Sequence, residues 1–113
     1  MHEFSIVQSL LQTAEAEARS RGATAVHRLE VRIGELAGVE IELLRSAYEL
    51  VRGRTLCAGA ELTITPSAVR WACSGCGRTV ERGGVLQCPD CGKPARLVQG
   101  DEILLERMEL EVA

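Results

Sequence analysis

The chain has 113 residues, 46% of them hydrophobic, with a formal net charge of −3 and one each of Phe, Tyr and Trp. That length suits one domain, or one domain with a small module, and the apolar content excludes a disordered chain. The acidic balance gives no basis for a broad nucleic-acid patch, and so few aromatics leave the core to Leu, Val, Ile and Ala.

A helix is predicted from Glu3 to Arg21. Val7, Leu10, Leu11, Ala14 and Ala18 recur at three and four residues and make one stripe, while Gln8, Gln12, Glu15 and Arg19 face elsewhere. Gly22 fits the stop, because the residue after a helix often takes a left-handed conformation. Leu29 to Ile33 alternates apolar and charged residues, as a half-buried strand does. Gly34 to Gly38 reads as a turn. A second helix is predicted from Val39 to Arg52, with Leu43, Leu44, Ala47, Tyr48 and Val51 on one side. Leu62 to Thr65 reads as a strand ended by Pro66. The last strand runs from Ile103 to Val112. Its apolar residues change parity between Leu105 and Met108, which a bulge near Glu106 would reconcile.

Between these strands lies a glycine-rich segment holding four cysteines in two matched pairs. They read Cys73-Ser-Gly-Cys76-Gly and Cys88-Pro-Asp-Cys91-Gly, with eleven residues between the pairs. Each Cys-x-x-Cys step lets two thiolates grip one ion from one turn, and two facing turns close a tetrahedron of sulfur, the geometry zinc accepts. Gly77 and Gly92 let the backbone turn its N–H groups toward the sulfurs. A segment so poor in bulky apolar residues needs metal to hold it. Four sulfur ligands leave no position for water, so the expected Zn(II) is structural. Cys57 stands outside the pairs and reads as a small buried residue.

The expected fold is α+β, with α/β-like alternation. A small three-stranded sheet carries two helices on one face, and a zinc-ribbon module is inserted before the last strand. Residues 1–66 and 100–113 form the body and 67–99 the module. The module holds five basic and two acidic residues. Four thiolates and one Zn(II) would reduce that surplus to about +1, too little to mark a nucleic-acid face.

No phosphate-cradling loop and no nucleophile elbow occurs, so no enzyme is expected. No apolar run approaches membrane-spanning length, and Met1-His2-Glu3-Phe4 lacks a basic leader start. A cytoplasmic setting is expected, where paired cysteines bind metal more often than they form disulfides. His27 opens a strand beside Arg28 and reads as a surface or strand-end histidine.

His2 differs because of its position. The Met1 amine, the His2 amide nitrogen and the His2 imidazole Nδ1 can close a five- and a six-membered ring around one ion. The amide must lose its proton, which a square-planar Ni²⁺ or Cu²⁺ can drive. Glu3 can add a fourth donor through its amide or its carboxylate. A histidine in second place can equally be incidental.

The start Met1-His2-Glu3, the stretch Ile33-Gly34-Glu35-Leu36 with Val39-Glu40, the paired cysteines and the ending Met108 to Val112 together resemble the hydrogenase nickel-incorporation proteins of the HypA/HybF family. The likeness runs the whole chain. It implies a small metallochaperone that carries Ni(II) to the large subunit of [NiFe]-hydrogenase with a HypB-type GTPase as partner. It places nickel on Met1, His2 and Glu3, and structural zinc on Cys73, Cys76, Cys88 and Cys91. Some members carry histidines beside the cysteines, and this chain has none there. Two rival readings remain: a zinc ribbon that binds nucleic acid, with Arg70 and Trp71 as its stacking pair, and a zinc ribbon that only docks a protein.

Overall fold

The computed structural model describes residues 2–80 and 86–113. The first helix, α1 (His2–Ser20), buries Val7, Leu11, Ala14 and Ala18. That is the predicted stripe, with Leu10 half-buried at its margin. Gly22 ends the helix at φ +71° and donates its N–H to the Arg19 carbonyl at 3.0 Å, satisfying one orphan acceptor of the last turn.

Strand β1 (Ala23–Gly34) is longer than the predicted five residues. Its first half lacks clean alternation, and its partners are distant in sequence. Val26 donates its N–H to Leu56 O at 2.9 Å, and Thr24 Oγ1 lies 3.3 Å from Glu111 O. His27 is exposed inside this strand rather than at its end, 2.9 Å from Glu111. In the second half the period of two holds. Leu29, Val31 and Ile33 are buried, while Arg28, Glu30 and Arg32 turn the other way.

Helix α2 (Ile41–Val51) packs on α1 and buries Leu44, Ala47 and Tyr48. Leu43, predicted to share that face, is 55% exposed. It stands one residue off the stripe, about 100° round the helix, so the buried face is narrower than the apolar pattern. Tyr48 and Arg52 both donate to the Ala60 carbonyl, at 2.8 and 2.6 Å. Cys57 is wholly buried, as expected of a small apolar residue. Enclosing side chains such as Leu29 and Leu44 contributes about 1.5–3 kcal/mol each.

Strand β2 (Glu61–Ser67) runs through Pro66 instead of ending there. It lies at the edge of a three-stranded sheet ordered β2-β1-β6, where a missing N–H costs no ladder bond. Strand β6 (Ile103–Val112) is the other edge. Arg28 meets Glu109, Arg107 meets Glu30 and Arg32 meets Glu106 across β1 and β6, a ladder that covers the polar face. Residue numbers rise on one strand as they fall on the other, so the pair is antiparallel. Exposure along β6 changes parity at Glu106 and Arg107, where the sequence places the irregularity.

A second sheet, ordered β4-β3-β5, joins β3 (Arg70–Cys73), β4 (Thr79–Val80) and β5 (Ala95–Gln99), all antiparallel. Trp71 stands opposite Val80 on one side and Leu97 on the other. The fold is thus α+β, two helices and two small sheets. The chain clusters into two units. The first is Met1–Arg32, Val39–Thr65 and Leu104–Ala113; the second is Ile33–Gly38 and Pro66–Ile103. In the second unit the turn after β1 is bound by backbone bonds from Glu35 to Ser67 O and from Leu36 to Gly100 O. No helix among the described residues is long and apolar enough to cross a membrane.

Candidate metal centre

Each cysteine pair sits on a turn built the same way. Cys73 donates its N–H to Arg78 O at 2.8 Å, and Cys88 donates to Lys93 O at 2.9 Å. Gly77 closes on Cys73 O and Gly92 on Cys88 O, both at 3.0 Å. Those glycines have φ of +76° and +70°, which a side chain would strain. The backbone therefore curls around the first cysteine of each pair. Within the first turn, the N–H groups of Gly75 and Cys76 point at Cys73 Sγ, 3.3 and 3.4 Å away.

The two turns face each other. All four Sγ atoms of Cys73, Cys76, Cys88 and Cys91 lie within 4.8 Å of one another. Cys73 and Cys91 are 3.0 Å apart and Cys76 and Cys88 are 3.9 Å apart. A tetrahedral zinc with Zn–S bonds of about 2.3 Å sets its sulfurs about 3.8 Å from each other, so the donor set fits one four-coordinate ion. Cys73 and Cys88 are buried, and Cys76 and Cys91 face out. All five cysteines are free thiols.

Of the facing pair Cys73 and Cys91, the surroundings favour the thiolate on one sulfur alone. The Cys76 N–H, then the Cys91 thiol, pull Cys73 down to about 6. The same contact pushes Cys91 up to about 11, because one proton lies between two sulfurs. An ion in the centre would replace that proton and favour the deprotonated form of all four.

Beneath the turns, Val80 packs with Cys73 and Cys88, and Trp71 and Ala95 pack against them. Trp71, partly buried, is therefore joined to this small core. Arg78 is paired with Asp90. In the sequence Trp71 stands beside Arg70 as a candidate nucleic-acid pair; its packing is not legible there, because its partners come from β4 and β5.

The N-terminal candidates lie in the first unit. His2 opens α1 and is exposed, while the Glu3 carboxylate is buried. Glu3 Oε2 accepts the backbone N–H of Glu40 at 3.2 Å and lies 3.2 Å from His2 Nε2. The Glu40 N–H, then the residue's own N–H, hold the Glu3 carboxyl below the ordinary range, aided by His2 and the chain terminus. Ser5 Oγ donates to His2 O at 2.9 Å. The structure thus brings His2 and Glu3 together, through the imidazole nitrogen that the local chelate does not need. Met1 lies outside the described residues. No spacing in the sequence links positions 3 and 40, so the part Glu40 plays is visible only in the fold.

The family model described as "Hydrogenase/urease nickel incorporation, metallochaperone, hypA" matches residues 1–110. A protein named hydrogenase maturation factor HypA from Aquifex aeolicus is 39% identical, covering 99% of each chain. Its namesake from Nitrosospira multiformis is 40% identical over 97% of each. The solution structure of the Ni metallochaperone HypA from Helicobacter pylori superposes with a TM-score of 0.76 at 30% identity, covering 98% of each chain. Another solution structure of a HypA protein reaches 0.83 at 30% identity, covering 100% of this chain and 98% of that one. With two matched cysteine turns, a His-Glu start and likeness along the whole chain, this protein belongs to the HypA family of nickel-incorporation metallochaperones.

Proposed function

We propose that this chain is a nickel metallochaperone that binds Ni(II) at its N-terminus and hands it to the large subunit of [NiFe]-hydrogenase with a HypB-type GTPase. The observation that carries this reading is the whole-length family match. The ligand set we assign is the Met1 amine, the amide and imidazole of His2, and Glu3. The first N–H groups of an α-helix have no acceptor within the helix, so ionising the amides of residues 2 and 3 breaks no helical bond. The positive end of α1 opposes a bound cation. The ionised amides and the Glu3 carboxylate offset that. With its carboxylate tied to Glu40 and the His2 ring, Glu3 has its amide as the donor that fits a square plane.

Cys73, Cys76, Cys88 and Cys91 are assigned to one structural Zn(II). Residues 1–66 and 100–113 are assigned to nickel and 67–99 to zinc. A closed sulfur shell has no place for substrate or water, which favours a carrier over an enzyme. Four reduced thiols suit the cytoplasm. A nickel site at a chain end lets a partner's ligands displace donors one at a time, whereas a buried site would retain the ion. Packing of Trp71 against the cysteine core weighs against the nucleic-acid reading. The docking-only alternative differs at the N-terminus alone. Nickel titration of the native protein against one extended ahead of Met1 separates the two. One Ni(II) per chain, lost on extension, supports the chaperone; equal binding by both proteins rejects it.

A further inference from the structure

Between α2 and the start of β2 lies an open cavity of about 480 Å³. Arg45, Tyr48, Glu49 and Arg52 of α2 line it, together with Glu61 and Leu62 of β2. It uses no residue assigned to nickel or to zinc.

Backbone carbonyls fix both guanidinium groups. Arg45 donates to Leu62 O at 3.2 Å, and Arg52 donates to Ala60 O at 2.6 Å. Those carbonyls are two residues apart where the chain enters β2, so about 6.6 Å of extended backbone separates them. Arg52 also lies 5.3 Å over the ring of Tyr48. Tyr48 is buried and donates its O–H to the same Ala60 carbonyl at 2.8 Å, so this platform is held in place. A guanidinium carries five N–H donors, and one carbonyl engages few of them. Anchoring the two arginines therefore leaves donors on both for a ligand. Side chains held in advance lose less freedom when that ligand arrives.

The charges do not cancel evenly. Two bases and two acids line the cavity. Glu61 lies 3.4 Å from Arg28 of β1, and Glu49 lies 3.0 Å from Arg52. Among the described residues Arg45 meets no carboxylate, only the Leu62 carbonyl. The cavity thus keeps one uncompensated positive charge. The Glu49 and Glu61 side chains are 64% and 69% exposed, whereas Arg52 is 25% exposed. Water screens the two acids more than it screens the base.

We infer that Arg45 and Arg52 form a binding site for a phosphoryl group. Its three acceptor oxygens can take charge-assisted hydrogen bonds from both guanidinium groups at once. A carboxylate has two oxygens, which one guanidinium already engages as a fork, so it fits the pair less well. On binding, the phosphoryl group takes the place of Glu49 at Arg52, and Glu49 turns to water. Free phosphate and a phosphorylated side chain of a partner protein present the same group. The carbonyls at the C-terminal end of α2, beside Arg52, oppose an anion, so the affinity for free phosphate is expected in the millimolar range.

Nuclear magnetic resonance titration of the zinc-loaded full chain, in chloride buffer without nickel, tests this. The probes are inorganic phosphate, a short phosphoserine peptide of otherwise neutral residues, and acetate. Phosphate should shift the Arg45 and Arg52 side-chain N–H signals saturably, and acetate much less. Tighter binding of the phosphopeptide assigns the site to a partner's phosphorylated side chain; tighter binding of phosphate assigns it to the free ion. Arg45→Gln should weaken phosphate binding at least about tenfold. Glu49→Gln releases Arg52 from an exposed partner and should tighten binding about threefold. Circular dichroism and zinc content check that both variants fold. Should Arg45→Gln fold poorly, Glu49→Gln still decides, because it removes only an exposed competitor. The inference is overturned if neither phosphate nor phosphopeptide gives a saturable shift, or if acetate binds as well as phosphate. Phosphate binding indifferent to Arg45→Gln, or to Glu49→Gln, overturns it too.

Discussion

The Glu3 carboxylate accepts the backbone N–H of Glu40 at 3.2 Å, tying the first turn of α1 to the residue that leads into α2. The same oxygen lies 3.2 Å from His2 Nε2. Glu3 therefore sets the direction of the imidazole beside the chain terminus, as a carboxylate behind a ligating histidine does.

Replacing His2 by Ala should abolish stoichiometric Ni(II) binding while fold and zinc content stay unchanged. The imidazole anchors the ion before the amide ionises, so its loss removes both donors. Binding by the wild type should weaken as pH falls, because a ligating imidazole, amine and amide must each give up a proton to the solvent before they hold the ion. Calorimetry at two pH values measures this. Unchanged affinity in His2→Ala would remove the N-terminal site from consideration.

One Zn(II) per chain should copurify and persist in the absence of nickel. Cys73→Ser should lose the ion, and with it the packing of Trp71 against Cys73 and Cys88. Apparent zinc binding energies of about 10–16 kcal/mol have no substitute in so small a core. Metal analysis and Trp71 fluorescence report the two losses together. Native fluorescence in a zinc-free chain would contradict the assignment.

Gly34→Ala should destabilise the second unit strongly. A Cβ at Gly34 would run into the backbone carbonyl group of Gly100, and backbone cannot swing aside as a long side chain can. Gly100 is itself held at φ +116°, and Leu36 donates to its carbonyl at 2.6 Å. The expected cost is above about 1 kcal/mol, in the range of overpacked sites. Urea unfolding is the measurement; a wild-type midpoint would show that the contact relaxes freely.

Leu44 and Leu43 are adjacent leucines with opposite surroundings. Leu44 is wholly buried and Leu43 is 55% exposed. Leu44→Ala should cost about 2–5 kcal/mol, and Leu43→Ala should stay within about 0.5 kcal/mol. Equal losses would mean that Leu43 is covered in solution.

Stability should decline in alkali. Burial pushes the Tyr48 phenol up to about 12, and burial, then the Glu15 carboxylate, pushes the Cys57 thiol up. Between about pH 8.5 and 12 the unfolded chain ionises these groups while the folded chain keeps their protons. The folded state then binds more protons, so stability is full below that window and falls as pH rises through it. Tyr48→Phe should flatten the upper part of the decline. Denaturation midpoints at pH 7.5 and 10.5 would show it, and a midpoint that rises with pH would contradict it.

The elements legible in the sequence were those whose signal is local. The stripe from Val7 to Ala18, the stop at Gly22, the alternation from Leu29 to Ile33 and the two cysteine turns each depend on residues within a few positions. Their periods and spacings survive in any fold that buries them. The parity change in β6 was legible for the same reason. The sequence by itself thus determined the α+β class and which four sulfurs can meet, because a Cys-x-x-Cys turn presents two donors whatever surrounds it.

Tertiary structure alone decided what depends on distant partners. β1 extends back to Ala23 because Leu56 and Glu111 meet its early residues. Leu43 is left outside because the face of α2 that is buried centres on Leu44, Ala47 and Tyr48. Pro66 stays in a strand because β2 is an edge. Glu3 finds Glu40 only once two helices pack, and Trp71 is spent on the cysteine core only once β4 and β5 flank β3. Hydrogen bonds and apolar contacts act over a few ångströms, and no pattern along a chain specifies which residues far apart in sequence will come that close.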